Sequence, residues 1–203
     1  LWNIDLKDFF PSIPKKRVTA AFEGMGYPFV AAYFLAGLCC LRGSLPQGAP
    51  TSPALSNIIF NKVDIALSEL VDGKNIIYTR YADDLSFSGM KPIPVSFQRQ
   101  VIRLLKTNGY FVQLKKSRLM GPAMRREVTG LTINEKVSLP RVRRRKLRAY
   151  FHDISLNPAA HSKKRTEALG FASWVKNHHP SEGRYYMEIA LGIPLEPVSG
   201  DTA

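Results

Sequence analysis

Two carboxylates stand side by side in this chain, Asp83 and Asp84, within the stretch YADDLSFSG (Tyr81 to Gly89). The runs on either side, NIIYTRY and DLSFSG, read as strands, which sets the pair at the tip of a hairpin with Ala82 and Asp83 at the turn. Aspartate tolerates the left-handed backbone angles that two-residue turns demand. Like charges in contact raise one another's proton affinity, so something has to offset them. A third carboxylate, Asp5, falls on the polar face of LWNIDL, whose other face carries Trp2, Ile4 and Leu6. If the two strands are neighbours, Asp5, Asp83 and Asp84 converge. Three hard oxygen donors suit Mg²⁺, which takes few carboxylates and keeps its other positions for water and phosphate. Two such ions activate an attacking hydroxyl and stabilise a leaving pyrophosphate. From these residues alone, water on an exposed Asp-Asp turn explains the pair equally well.

The elements that must position them follow from pattern and punctuation. LWNIDL alternates as a half-buried strand, and Pro11 and Pro14 end it. KKRVTAAFEGMG and YPFVAAYFLAGLCCL read as two helices separated by glycines. RGSLPQGAPTSPALSN is a loop that runs into a helix, PALSNIIFNKVDIALSELV. After the hairpin comes a helix, VSFQRQVIRLLKTNG, stopped at Asn108-Gly109. GYFVQL, EVTGLTI and KVSL read as short strands. Pro140 opens a basic helix, and two further helices follow in TEALGFASWVKNHH and GRYYMEIALG. The order predicts an α+β fold: an antiparallel sheet with helices on one face, then a small helical domain. The expected division is 1–139, 140–193 and a flexible tail, 194–203.

Composition narrows the partners. The chain has 203 residues, 45% hydrophobic and 22% charged, which excludes a disordered tail. The longest apolar run, Phe29 to Leu41, is too short to span a bilayer and reads as a buried helix. No signal peptide is legible at LWNID. Cys39 and Cys40 are adjacent, offer neither a bridge nor zinc spacing, and read as small buried hydrophobes in a reducing compartment. The histidines show no metal spacing either. The formal charge is +13 and uneven: Lys115 to Arg148 holds twelve Lys or Arg against Glu127 and Glu135. Such a field gathers phosphate-bearing partners. Arg141, Arg144, Arg145 and Arg148 fall at i, i+3, i+4 and i+7, one helical stripe, with Leu147, Tyr150, Phe151 and Ile154 on much of the opposite side. Asp153 is the only acid on that helix, so the stripe is expected to meet the phosphates of nucleic acid.

Taken as an ordered set, the motifs resemble those of reverse transcriptases. IDLKDFFPSI is similar to the family's first palm motif, LPQGAPTSPALSN to its nucleotide-binding motif, RYADD to its catalytic hairpin, and GYFVQLKKS to the lysine-bearing motif after it. VTGL, Val128 to Leu131, resembles a signature of the bacterial retron enzymes.

The resemblance implies a polymerase right hand, with the palm at 1–139 and the thumb at 140–193. It implies that Asp5, Asp83 and Asp84 bind two Mg²⁺ ions, and that Phe10 is the aromatic gate under the sugar that selects deoxynucleotides. It further implies that Gln47 and Gly48 line the incoming dNTP and that Lys116, with its neighbour Lys115 as the rival position, serves the pyrophosphate leaving group. Arg141, Arg144, Arg145 and Arg148 would track the RNA template and RNA/DNA duplex. A retron enzyme further implies a dedicated structured noncoding RNA, an effector protein, a role in antiphage defence, a bacterial cytoplasmic location and no membrane partner. The family's fingers region is not recognised before Asp5, so this chain by itself is expected to polymerise weakly or not at all. The rival readings are a group II intron or diversity-generating reverse transcriptase, and a catalytically silent RNA-binding palm module.

Overall fold

The computed structural model describes residues 1–195. They form two compact units, Leu1–Met124 and a second beginning at Arg125. From residue 196 on, the expected tail lies outside the described residues.

The first unit runs β1 (Trp2–Asp5), α1 (Lys15–Gly24), α2 (Phe29–Cys39), α3 (Ser52–Val71), β2 (Ile76–Tyr81), β3 (Asp84–Gly89), α4 (Val95–Thr107), a 3-10 turn at Leu114–Lys116, and β4 (Arg118–Leu119). The sheet order is β2-β3-β1-β4, and every pairing is antiparallel. The alternation of β1 does what its pattern predicts: Trp2, Ile4 and Leu6 are buried, and Asn3 and Asp5 are not. Phe87 on β3 anchors this face, stacked between Trp2 (centroids 5.2 Å apart) and Tyr78 (5.1 Å), with Phe97 of α4 edge-on at 5.5 Å. Phe9, Phe60 and Tyr110 form a second aromatic cluster beneath the end of β1. Pro14, Pro28 and Pro94 each stand at a helix N-cap in extended geometry, where a missing N–H costs no helical bond.

Two expectations fail here. α2 is not a buried helix: only Ala32 and Ala36 are buried, while Phe29, Val30, Tyr33, Phe34 and Leu38 are exposed, and Cys39 and Cys40 are half-buried. Its small residues form the inward side, as its packing on α1 requires. GYFVQL is not a strand. It makes one bridge, Leu6↔Val112, with the Lys7 amide donating to Phe111 and the Gln113 amide to Asp5, and then turns at Leu114–Lys116.

The second unit contains β5 (Glu127–Val128), β6 (Leu131–Thr132), α5 (Arg141–Leu156), a 3-10 segment at Pro158–Lys164, α6 (Arg165–His178) and α7 (Pro180–Leu191). EVTGLTI is thus a hairpin and not one strand. Thr129 and Gly130 both take positive φ, 49° and 78°, as a tight two-residue turn demands. KVSL contributes only a bridge from Ser138 to Thr132. Leu147, Phe151 and Ile154 of α5 pack on Ala168, Ala172 and Val175 of α6 and Tyr186 and Ala190 of α7. Phe151 and Tyr186 stack almost flat, 4.2 Å apart at 7°. Among the described residues no helix is long and apolar enough to cross a membrane.

Candidate active site

The β1–β3 register sets Asp5 directly opposite Asp84, and Asp83 follows the turn residue Ala82. The turn differs from expectation in one respect. The positive φ, 51°, belongs to Ala82, and Asp83 does not share it. The Asp83 carbonyl accepts a hydrogen bond of 2.9 Å from the Leu6 amide, which ties the turn to the end of β1.

The 3-10 turn at Leu114–Lys116 swings Lys116 back over the same spot. Its Nζ lies 3.1 Å from both Oδ1 and Oδ2 of Asp5. That hydrogen bond, and then the Asp5 charge, raise the Lys116 ammonium above its ordinary value. Burial, followed by the Asp83 and Asp5 charges, raises the Asp84 carboxyl, while Lys116 pulls it the other way. The site is therefore a knot of like charge with one ammonium on it.

The donor set, three carboxylates on adjoining strand ends, has the hard-oxygen chemistry that a divalent ion takes. As the side chains stand, no group of three or more His, Cys, Asp or Glu among the described residues is arranged to hold an ion, and Lys116 is the cation on Asp5. The residues that could hold one are Asp5, Asp83 and Asp84.

A cavity of ≈ 200 Å³ opens beside them, lined by Asp5, Phe10, Gln47, Asp83 and Lys116, together with Asp8 and Gln113. Five of the residues singled out in the sequence thus share one wall. Gly48 and Asp84 are not among its lining. Phe10 is half-buried, packed against the core and tilted on Phe9 at 5.4 Å, so its ring is held. The loop that carries Gln47 is pinned by the buried Leu45, whose amide donates to Ile13, and by the Ser52 hydroxyl on the Pro46 carbonyl at 2.7 Å. Gly48 has φ 86°, a conformation that favours glycine.

Sequence reasoning missed the support behind the turn. Arg80, only 9% exposed, grips Asp64 of α3 through Nε (2.9 Å) and an Nη (2.6 Å); its other Nη reaches Asn57 and the Ala82 carbonyl, both at 3.0 Å. Tyr78 donates its hydroxyl to the same Asp64 at 2.7 Å, and burial and that carboxylate raise the phenol well above its usual range. A signal was available. Alternation places Arg80 on the inward face with Ile76 and Tyr78, where an arginine requires an acid.

In the second unit the arginine stripe is not uniform. Arg144 donates twice to Glu182 of α7, at 2.7 and 3.1 Å, and Arg148 lies 3.9 Å from the same residue. Burial works against the Glu182 carboxylate, but the Tyr186 hydroxyl and Arg144 outweigh it and hold it below the usual range. Arg141 and Arg145 stay exposed. Arg144 stands one turn from Leu147 and so borders the packed face, which sets it apart from the stripe.

A family model described as reverse transcriptase (RNA-dependent DNA polymerase) matches residues 1–172. The chain belongs to the reverse transcriptase family. It is 39% identical over 154 residues to the Retron Ec86 reverse transcriptase of Escherichia coli, covering 75% of this chain and 48% of that one. It is 33% identical over 199 residues to the Retron Mx65 reverse transcriptase of Myxococcus xanthus, covering 89% and 46%. The chain thus spans about half the length of these curated reverse transcriptases. In fold it is similar to a telomerase from Candida albicans solved with the TWJ fragment of telomeric RNA, with a TM-score of 0.52 and 11% identity over 94% of this chain and 39% of that one. At that identity the likeness speaks for the fold of this chain and no more.

Proposed function

We propose that this chain carries the palm and thumb of a retron-type RNA-directed DNA polymerase, which extends a primer hydroxyl with dNTPs along an RNA template. The observation that carries the reading is the register of Asp5 against Asp84, with Asp83 at the turn and Lys116 on Asp5. In this reading Asp5, Asp83 and Asp84 hold two Mg²⁺ ions, which when bound supply Lewis-acid charge at the reacting oxygens and the phosphates. Phe10 forms the floor under the sugar and excludes a 2′-hydroxyl. Gln47 hydrogen-bonds the incoming nucleotide without adding charge, and Gly48 lets the backbone of the same loop come close. Lys116 moves from Asp5 to the departing pyrophosphate. Arg141, Arg145 and Arg148 meet the phosphates of the template–primer duplex, a contact that is sequence-tolerant and salt-sensitive.

The similarity to retron enzymes supports a structured noncoding RNA as template. By the same resemblance we place the protein in the bacterial cytoplasm, in antiphage defence beside an effector protein. A silent RNA-binding palm would need neither the three carboxylates nor the Phe10 and Gln47 wall.

The test is primer extension on RNA by the full-length protein beside Asp83→Asn/Asp84→Asn. Synthesis is expected to fall by at least about 10³-fold, and undiminished synthesis by the variant would refute the assignment. In the same assay Phe10→Ala is expected to admit ribonucleotides. Sequencing of copurifying RNA then identifies the template.

A further inference from the structure

Arg80 joins the two halves of the site. It sits on β2 two residues before the turn, and its permanently charged group is nearly shut off from water. The pair with Asp64 uses Nε and one Nη. That pairing alone would tie β2 to α3. The second Nη does something separate. It donates to the Ala82 carbonyl at 3.0 Å, and Asn57 of α3 steadies it at the same distance. The Phe60 ring supports the guanidinium from beneath, 4.5 Å away.

Ala82 is a non-glycine residue held at positive φ, a conformation that persists only where the surroundings enforce it. Its carbonyl belongs to the Ala82–Asp83 peptide, so fixing that oxygen fixes the plane from which the Asp83 side chain departs. The next carbonyl along, that of Asp83, is held by the Leu6 amide. The turn is clamped from both sides, and one clamp is anchored on α3, the helix entered from the Gln47–Gly48 loop.

We infer that Arg80 is a positioning residue. Through the Ala82 carbonyl it sets the Asp83 carboxylate relative to Asp5 and Asp84, and so couples the helix behind the nucleotide loop to the metal-binding carboxylates. This rests on the reverse transcriptase reading for the role of those carboxylates.

Arg80→Lys keeps a positive charge opposite Asp64 and most of the stem, and loses the branch that reaches Ala82. In the full-length protein we expect kcat for primer extension to fall by about 30- to 100-fold, the scale of an ångström-sized misplacement. The KM for dNTP should stay within about twofold, and the Mn²⁺ or Mg²⁺ concentration for half-maximal rate should rise. A titration of Mn²⁺ followed by its electron paramagnetic signal, with no substrate present, should show correspondingly weaker binding. Thermal melting and duplex affinity should stay near wild type. Wild-type kcat and Mn²⁺ affinity in Arg80→Lys would overturn the inference, as would a loss of kcat that merely follows the unfolded fraction. Should Arg80→Lys melt too low to assay, Asn57→Asp is the second variant. Its exposed carboxylate draws the same Nη off Ala82 and leaves the pair with Asp64 alone, and it should weaken Mn²⁺ binding and lower kcat several-fold; unchanged values overturn the inference. Failure of the polymerase reading looks different: the wild type itself would extend no primer, while the Mn²⁺ titration would still report on Arg80.

Discussion

Replacing Asp64 with leucine while Arg80 stays should be among the costliest single changes in the first unit. The substitution removes the acceptor of three hydrogen bonds, from Tyr78 (2.7 Å) and from Nε and Nη of Arg80 (2.9 and 2.6 Å). It also strands a guanidinium on a side chain that is 9% exposed. Breaking one side of a buried ion pair costs about 3–5 kcal/mol. The Asp64 side chain is 26% exposed, which admits some water, so the low end, about 3 kcal/mol, applies. With a urea slope of about 2 kcal/mol per molar, the midpoint should drop by about 1.5 M. Adding Arg80→Met changes the outcome, because a matched apolar pair in such a place is often no less stable than the ions it replaces. The double variant forfeits the stacking on Phe60, worth about 1 kcal/mol, and should still recover half or more of the loss. The assay is urea unfolding followed by tryptophan fluorescence in a Trp174→Phe background, so that the buried Trp2 reports on the first unit alone. A loss under about 1 kcal/mol for Asp64→Leu, or a double variant as unstable as the sum of its singles, would refute the reasoning.

Two further outcomes are expected. The Asp84 carboxyl is raised by burial and by its neighbours, so the folded protein holds that proton more tightly than the unfolded chain. Ionising Asp84 therefore destabilises the fold progressively from the ordinary carboxylate range up to the raised value, and fully above it. Asp84→Asn should melt higher than wild type at neutral pH, and the advantage should vanish toward about pH 4; an equal margin at both ends of the scan would refute this. Gly183→Ala would bring a Cβ within 2.3 Å of the Lys176 backbone, where α6 and α7 cross. The helices must part, at about 3 kcal/mol or more, so Trp174 should report a lower melting temperature while Trp2 is unmoved.

What is legible in the sequence is what period and punctuation encode. The two-residue alternation of Trp2, Ile4 and Leu6 places Asp5 on the accessible face, and the hairpin places Asp83 and Asp84. Strand pairing supplies the rest, and the register that sets Asp5 on Asp84 is a distance that no single strand records. α2 departs from expectation because a helix apolar all round does not say which side is covered; the neighbours of Ala32 and Ala36 decide it. GYFVQL has strand residues but only one bridge, because beyond Val112 the chain turns to deliver Lys116. Helical spacing groups Arg144 with its exposed fellows because Glu182, its partner, comes from another helix 38 positions on. Arg80 was within reach, since its inward place follows from the same alternation that locates Asp5 on β1.

The sheet order also sets a timetable. β1 lies between β3 and β4, so both of its partners are made long after it: Asp5 waits for Asp84, and the bond from Leu1 to Met120 closes over 119 positions. At about 5–20 residues per second, a growing chain carries β1 unpaired for on the order of ten seconds. During that interval Trp2, Ile4 and Leu6 have no sheet to cover them, and holding factors at the ribosome have an apolar strand to bind. Closing so long a loop late makes this sheet a slow step in folding. The carboxylates of Asp5 and Asp84 face each other only once that step is complete.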